Sequence, residues 1–562
     1  MPAIIKKMKK GKAYYYITQS GRVNGKPRIV WQKYLGSVEA ILQKYKEKEI
    51  TPIKPSETVL FEAGGIATLL KFAERLDLIN LINEILPSKG QGPSLGHYIV
   101  LAALNRALKP VSKIQIGDWY RETVLQRLWG FKAQAFTSQS YWNQMDRISP
   151  EAIVQLQNRL AQQIRQEFHI DTDALLYDTT NFFTYIATHN DRSEIAKRGR
   201  QKQKRNDLRQ VNLALLTTTD FQIPLFHTTY QGNIPDISFF PDITKQLLKQ
   251  REIIFGPCNK ATIVFDKGNL SGETLGTLLY SDIQFVGGIK RDLLPDIFET
   301  PIEQFKDLPF LPGSKGYEHI CELQGKSCKA VVCYSESFFT QQLASLTASM
   351  AKCEEKLKTL QKSLLEWNLG KKRGRRPTKQ QVKATVEHIL SGQYMKEIYT
   401  VKQSFDGATY INYSVNHIAL QKITKARLGR TLLLTNRKEL LIEEVIRSYR
   451  ELANIEEAFK YMKNRDYLRW QPAFHWTDQK LKVHTLYCVL ALLLVTLARK
   501  TAYQAGVELS MTSLLDELSA IKEVALIYSQ EGKMHTELTL NRMTPRQKRL
   551  AELFDIGTVL EG

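Results

Sequence analysis

Acidic residues are in short supply: 57 Asp and Glu stand against 79 Lys and Arg, a formal net charge of +22. That deficit favours a polyanionic partner, nucleic acid or an acidic membrane face. Long apolar runs are missing too. The greasiest segment, 483–498, is shorter than the ~18–20 residues of a membrane span and contains His484, Thr485 and Thr496, so a buried helix and no membrane partner are expected. Cysteine is sparse: Cys258, Cys321, Cys328, Cys333, Cys353 and Cys488 show no C-x-x-C spacing and no tight Cys/His cluster. A structural zinc site is not indicated, and free thiols in a reducing cytoplasm are expected. Residues 1–12 are basic but lack the apolar core of a signal peptide.

What remains is a chain of 562 residues, beyond the roughly 250–300 at which one core stops growing, so several units are expected. Residues 1–50 read as a basic β-hairpin and helix unit. Lys6, Lys7, Lys9, Lys10 and Lys12 precede β-rich stretches 13–18 and 28–34, joined across the turn dipeptide Asn24-Gly25; Ser37 is placed to cap a helix 38–45. Tyr14, Tyr15, Tyr16 and Trp31 among these cations suit a grip on DNA or a solvated hairpin. Residues 58–170 read as an all-α unit for DNA-end binding. Helical spacing recurs in 66–76, Pro93-Ser94 opens 97–107, and Ser149-Pro150 opens 151–168.

From 171 to 290 strands and helices alternate: strands 174–179, 211–218, 222–229, 261–265 and 284–289, helices 237–249 and 271–280. Three strands in hairpin order, then a helix, then a strand beside the first, is a mixed α/β sheet in the order of the ribonuclease-H-like fold. Residues 431–500 complete that core, and 291–430 interrupt it as an α+β insertion. Within the insertion Leu343, Leu346, Met350, Cys353, Leu357, Leu360 and Leu364 alternate by three and four, and Val382, Val386 and Ile389 match them, predicting an antiparallel coiled-coil hairpin over about 341–391. Its tip, Lys371-Lys372-Arg373-Gly374-Arg375-Arg376, suits phosphates or open solvent. Residues 501–562 read as a C-terminal α/β tail.

The run Ala174-Leu175-Leu176-Tyr177-Asp178-Thr179-Thr180 is apolar until it ends in a carboxylate. A charge at the end of a buried strand is costly unless compensated, and a divalent metal would compensate it. The apolar run 261–265 ends the same way, at Asp266. In a sheet of this order the two strands are neighbours, with both acids at one edge. A third acid is expected from one helix spanning 436–464, capped by Asn436. There Tyr449, Glu456 and Lys463 are spaced by seven. Seven residues at ~100° each return to within about 20° of the start, so the three share a face. Singly, such an Asp is a turn residue and such a Glu a solvated one; the reading rests on three acids arriving in order. Phosphodiester cleavage needs an activated water and a stabilised leaving oxygen, which two Mg²⁺ ions ~3.5–4 Å apart supply through a few carboxylates. Lys463 can neutralise a phosphate beside them.

The order Asp178, Asp266, Glu456 resembles that of bacterial insertion-sequence transposases of the DDE class, in the subgroup with a β-rich insertion before the Glu. Tyr177-Asp178-Thr179-Thr180, Arg205-Asn206-Asp207-Leu208-Arg209-Gln210-Val211, Ile223-Pro224-Leu225, Gly232-Asn233-Ile234-Pro235-Asp236 and Val264-Phe265-Asp266-Lys267-Gly268 resemble successive blocks of that family. Tyr449 to Lys460, ending at Lys463, resembles its Tyr-Arg-Glu-Lys signature helix, with Leu452 where the signature has arginine. Val23 to Arg28 and Tyr34-Leu35-Gly36-Ser37 resemble its N-terminal hairpin, so the likeness covers nearly the whole chain.

The resemblance implies an enzyme that binds the terminal inverted repeats of its own element and pairs two ends as a homodimer. It implies that Asp178, Asp266 and Glu456 hold two Mg²⁺ ions, for which Mn²⁺ can substitute. Water then frees a 3′-OH; in related enzymes that 3′-OH attacks the opposite strand, forming a hairpin reopened before joining to target DNA. DNA contacts are expected from Tyr449, Arg450, Lys460, Lys463, Arg209, Lys371, Lys372, Arg373, Arg375 and Arg376. An insertion-domain aromatic handles a flipped end in the relatives, and Trp367, Tyr394, Tyr399 and Tyr410 are available here. The implied setting is the bacterial cytoplasm, at the nucleoid. Two alternatives stay open: a non-catalytic DNA-binding descendant of a transposase, and a structure-selective ribonuclease-H-like nuclease.

Overall fold

The computed structural model describes all residues except 1, 24–25, 48–53, 88–89, 188, 200–204, 206, 256–260, 406–407, 472, 531–532 and 562. The expected turn at Asn24-Gly25, Asn206 and Cys258 fall outside the described residues. The chain divides into two compact units, one of residues 1–61 with 522–542, the other of residues 62–521 with 543–562.

In the first unit the N-terminal basic run is itself a strand, Pro2–Lys9, so the expected hairpin is a three-stranded antiparallel sheet with Lys12–Val23 in the middle and Lys26–Gly36 outside. Ser37 caps the helix Val38–Glu47, its Oγ accepting from Ala40 N at 3.2 Å. A second sheet joins Glu57–Glu62 to the hairpin Lys522–Gln530 and Lys533–Leu540. The expected tail at 501–562 is therefore divided, its hairpin belonging with the N-terminal residues. The stretch expected to be helical from 58 likewise begins as a strand.

The second unit is built on a nine-stranded mixed sheet. Its strands are β1 (Ala174–Thr184), β2 (Arg209–Thr218), β3 (Pro224–Gln231), β4 (Thr262–Phe265), β5 (Gln284–Gly288), β6 (Lys306–Asp307), β7 (Ser314–Leu323), β8 (Lys326–Ser335) and β9 (Arg430–Thr435). Their order is β6-β7-β8-β9-β5-β4-β1-β2-β3. β1, β2 and β3 run antiparallel to one another, whereas β4 runs parallel to β1 and β5 parallel to β4. β4 reads Thr-Ile-Val-Phe and is buried throughout, as a central parallel strand must be. Gly287 on β5 faces the Phe265 ring so closely that a Cβ would lie 2.2 Å from it, so a side chain there would expel the ring from the sheet.

Strands β6 to β8, expected within the insertion, extend this sheet instead. β9 would otherwise present an unpaired edge, and β8 covers it from Lys329↔Thr435 to Tyr334↔Arg430. The helical body of the insertion follows β8. Its 33-residue helix Glu336–Asn368 meets only an 11-residue partner, Lys379–Ile389, so a long two-helix coil is not what forms. Leu346, Cys353, Leu357 and Leu364 are buried as the seam predicts, with Val382 and Val386 of the shorter helix matching them, and the same core takes in Tyr399 and Ile411 of a β-hairpin and Ile423.

Helices cover the main sheet. The apolar helix Asp478–Gln504 is interior: its most apolar stretch has mean hydropathy 2.0 and is 94% buried. It contacts helices Gly64–Arg75 and Leu95–Leu108 and strand β3. Ser94 and Ser149 cap the helices that follow them, as their positions in the sequence predict.

His227 on β3 stands in this interior with Leu160, Leu486 and Val489, and burial lowers its imidazole from 6.5 to about 4. The folded chain therefore refuses a proton that the unfolded chain accepts below pH 6.5. The linked stability is complete above that value and declines as pH falls toward about 4, by up to about 3 kcal/mol. Denaturant unfolding between pH 4 and pH 7 checks this: His227→Gln should flatten the pH slope relative to wild type, and parallel slopes would show that His227 does not carry it.

Candidate active site

The site grows out of the place where the parallel ladder stops. β1 pairs with β4 only from Ala174↔Thr262 to Tyr177↔Phe265. Beyond that point β4 ends and Asp266 follows, while β1 continues against β2 to Thr184. Asp178 is thus at a ladder end and not, as expected, near a strand end. The effect is the one anticipated, since Asp178 and Asp266 emerge at the same edge from adjacent strands. After Asp266 the chain turns through Lys267–Asn269, with Asn269 N donating to Asp266 O at 3.0 Å.

The helix expected over 436–464 is two helices, α1 (Ile442–Arg450) and α2 (Leu452–Met462), meeting at Glu451. Asn436 does not cap them. Its Oδ1 accepts from Phe285 N at 3.0 Å and its Nδ2 donates to Ile283 O at 2.9 Å, fastening the end of β9 to the start of β5. Despite the break, Tyr449 and Lys463, two of the three residues spaced by seven, reach the sheet edge. Tyr449 Oη donates to Asp266 Oδ1 at 2.6 Å, and Lys463 Nζ donates to Thr180 Oγ1 at 2.5 Å, lying 5.5 Å from the Phe182 ring centre. Glu456, exposed on α2, acts electrostatically on Asp178.

The charge balance at Asp178 is unfavourable. Burial, most of all, raises its carboxyl from 3.8 to about 7. The Thr179 N–H opposes the rise, and Asp266, Glu456 and Asp236 add to it. Burial likewise raises Tyr449, with the Asp266 charge behind it, so that the phenol stays a donor. The three acids offer oxygen donors only, the set a hard divalent cation takes. As they stand, no three His, Cys, Asp or Glu side chains among the described residues are grouped closely enough to hold a metal ion.

Sequence reasoning overlooked two contributors. Asp236, read as part of a turn, adds to the charge facing Asp178 and accepts from Tyr230 Oη at 2.5 Å. Gly288 leaves room for the tyrosine: a Cβ there would lie 2.7 Å from Tyr449 Oη. The first had a signal in the tyrosine six residues before the acid; the second depends on a contact 161 residues away in sequence and had none.

Other expected residues lie elsewhere. Arg450 acts on Cys333 of β8, and Lys460 is exposed on α2 with no contact to the three acids among the described residues. Arg209 faces Thr184 across the far end of β1 and donates to Asn190 O at 2.7 Å. Lys371, Lys372, Arg373, Arg375 and Arg376 are exposed beyond the long insertion helix, where Lys372 Nζ donates to Ser363 Oγ at 2.6 Å and Arg376 bonds Asn368 Oδ1. A cavity of about 380 Å³ opens beside Asp266 and Tyr449, lined also by Lys267, Lys290, Arg291 and Tyr394. Arg291 lies 5.2 Å from the Tyr394 ring centre there, and Tyr394 holds a left-handed backbone, φ 67°.

No family model and no curated protein matches the chain. Among solved structures it is similar to a piggyBac transposase synaptic complex with hairpin DNA, determined by cryo-EM. That likeness covers 83% of this chain and 82% of that one, at 10% identity and a TM-score of 0.35. At that score it carries no argument about the site, which stands on its own geometry.

A raised carboxyl destabilises the fold once ionised. The contribution of Asp178 to stability is complete below 3.8 and is lost as pH rises from there to about 7. Asp178→Asn should therefore raise the unfolding free energy by ~1–4 kcal/mol at pH 8 without divalent metal. Chemical denaturation measures it, and a destabilised variant would mean that the carboxylate is not under strain.

Proposed function

We propose that this chain is an insertion-sequence transposase of the DDE class, acting on the terminal inverted repeats of its own element by end cleavage and strand transfer. The observation that carries the reading is the pair of acids at the end of the parallel ladder. Asp178 and Asp266 leave adjacent parallel strands at one edge, and Glu456 of α2 is near enough to act electrostatically on Asp178. The order β3-β2-β1-β4-β5, with its first three strands antiparallel and the rest parallel, supports a ribonuclease-H-like core. The intact set of acids favours an enzyme over a non-catalytic descendant.

Asp178, Asp266 and Glu456 are proposed to hold two Mg²⁺ ions, replaceable by Mn²⁺. When bound, such ions activate a water and neutralise charge on the leaving oxygen. The protein's own groups do the positioning. Tyr449 donates to Asp266 Oδ1 and so fixes that carboxylate, leaving its second oxygen to a ligand. Lys463 places a positive charge beside Thr180, two residues along β1 from Asp178, where it can meet a backbone phosphate. Leu452 offers no guanidinium, and neither Arg450 nor Lys460 replaces one at the acids, so phosphate contact at the signature helix falls to Lys463.

Of the four aromatics considered for a flipped nucleotide, Tyr399 is buried and donates to Met350 O at 3.1 Å. Trp367 lies against Gly374 at the basic tip, and Tyr410 is exposed on the β-hairpin. Tyr394 alone lines the cavity that opens at Asp266, and the reading assigns the role to it. The cluster 371–376 then meets phosphates of terminal-repeat or target duplex. A homodimer in the synaptic complex and a bacterial cytoplasmic setting complete the proposal.

The test is cleavage of a duplex carrying the element's own ends, with Mg²⁺. Asp178→Ala, Asp266→Ala and Glu456→Ala should each abolish cutting while end binding persists; a variant that cuts at the wild-type rate removes its residue from the role. Lys463→Ala should lower the salt slope of DNA binding by about 1.

A further inference from the structure

We propose that Tyr185, Phe474 and Trp476 form a stacking platform for unpaired bases, a DNA site separate from the acids and from the cavity at Tyr394. The inference rests on the reading of the chain as a DNA-processing enzyme and adds a second contact to it.

These three side chains are 44%, 56% and 52% exposed. Their backbone is fixed. Tyr185 follows directly on β1, and its N donates to Ala473 O at 3.0 Å. From 473 to 476 burial alternates: Ala473 and His475 point inward, Phe474 and Trp476 outward. His475 is anchored to His484 by a ring-to-ring hydrogen bond of 3.2 Å, and Trp476 O accepts from Asn190 Nδ2 at 3.2 Å. The rings of Tyr185 and Phe474 are 5.6 Å apart. Two large rings in contact in water, with a third exposed two residues along the same backbone, are costly to leave bare and mark an interaction surface.

Charge selects the partner. The described residues of the connector that leaves β1 at Tyr185 and returns at Arg209 include five cations, Arg192, Lys197, Arg198, Arg205 and Arg209, against three acids. Arg205 acts electrostatically on Tyr185, although its guanidinium also forks Asp207, an exposed pair that water weakens. Arg209 holds Asn190 O, and Asn190 in turn holds Trp476. Aromatic faces beside cations fit single-stranded nucleic acid, whose bases have free faces, better than duplex, whose bases are already stacked. Tyr185 is seven residues beyond Asp178 along one strand line, about 23 Å at ~3.3 Å per residue, so the rings are a site apart from the acids.

The experiment titrates the full chain against fluorescein-labelled single-stranded (dT)20 and against a 20-base-pair duplex. The doubly substituted Phe474→Ser, Trp476→Ser chain should bind (dT)20 roughly tenfold more weakly, and the duplex less than twofold more weakly. Trp476→Tyr should stay near wild type, and thermal melting should be unchanged because the side chains are exposed. Equal losses on both probes, or no loss on (dT)20, would overturn the platform. So would an altered sedimentation profile with DNA affinity unchanged, which would mark a protein–protein surface. Wild-type chain that binds duplex but not (dT)20 would sink the platform alone; binding to neither probe would sink the proposed function as well.

Discussion

Everything around the site follows from one electrostatic constraint: Asp178 is a carboxylate inside a sheet. β1 has to be apolar to pair with β4 and β2 in the interior, and an ionised group there loses hydration that the Thr179 N–H returns only in part. Ending β4 one residue earlier opens the edge at that level and lets Asp266 share the exposure. The cost is repulsion, since Asp236 and Glu456 face the same group. A fold that holds the Asp178 carboxyl above its ordinary value stores strain there, and a counter-charge brought to that edge would relieve it.

The surrounding elements hold that strained arrangement in place. Tyr449 satisfies one oxygen of Asp266, Gly288 clears the space for its hydroxyl, and Lys463 donates to Thr180, two residues along β1 from Asp178. The large apolar helix 478–504, buried between the main sheet and the N-terminal helices, gives this edge a rigid backing.

Much of this was legible in the sequence, and for physical reasons. Apolar runs ending in Asp178 and Asp266 specify buried strands and their exits, and a period of seven puts Tyr449, Glu456 and Lys463 on one face even though the helix breaks at Glu451. What stayed hidden depends on distant pairing. Nothing local says that 306–335 will cover the edge of β9, that the seam on the long insertion helix will be closed in part by a β-hairpin, or that Asn436 will bond two strands and cap no helix. Asp236 looked like turn chemistry because its neighbours Gly232, Asn233 and Pro235 are turn residues; only the fold brings it beside Asp178.

The central claim is that these acids form a metal-dependent centre for DNA chemistry. The most direct test is anomalous diffraction from crystals of the chain grown with a DNA end and Mn²⁺. The account predicts manganese peaks within ligating distance of Asp178, Asp266 and Glu456. Ordered DNA at this edge with no manganese on the three carboxylates would contradict it.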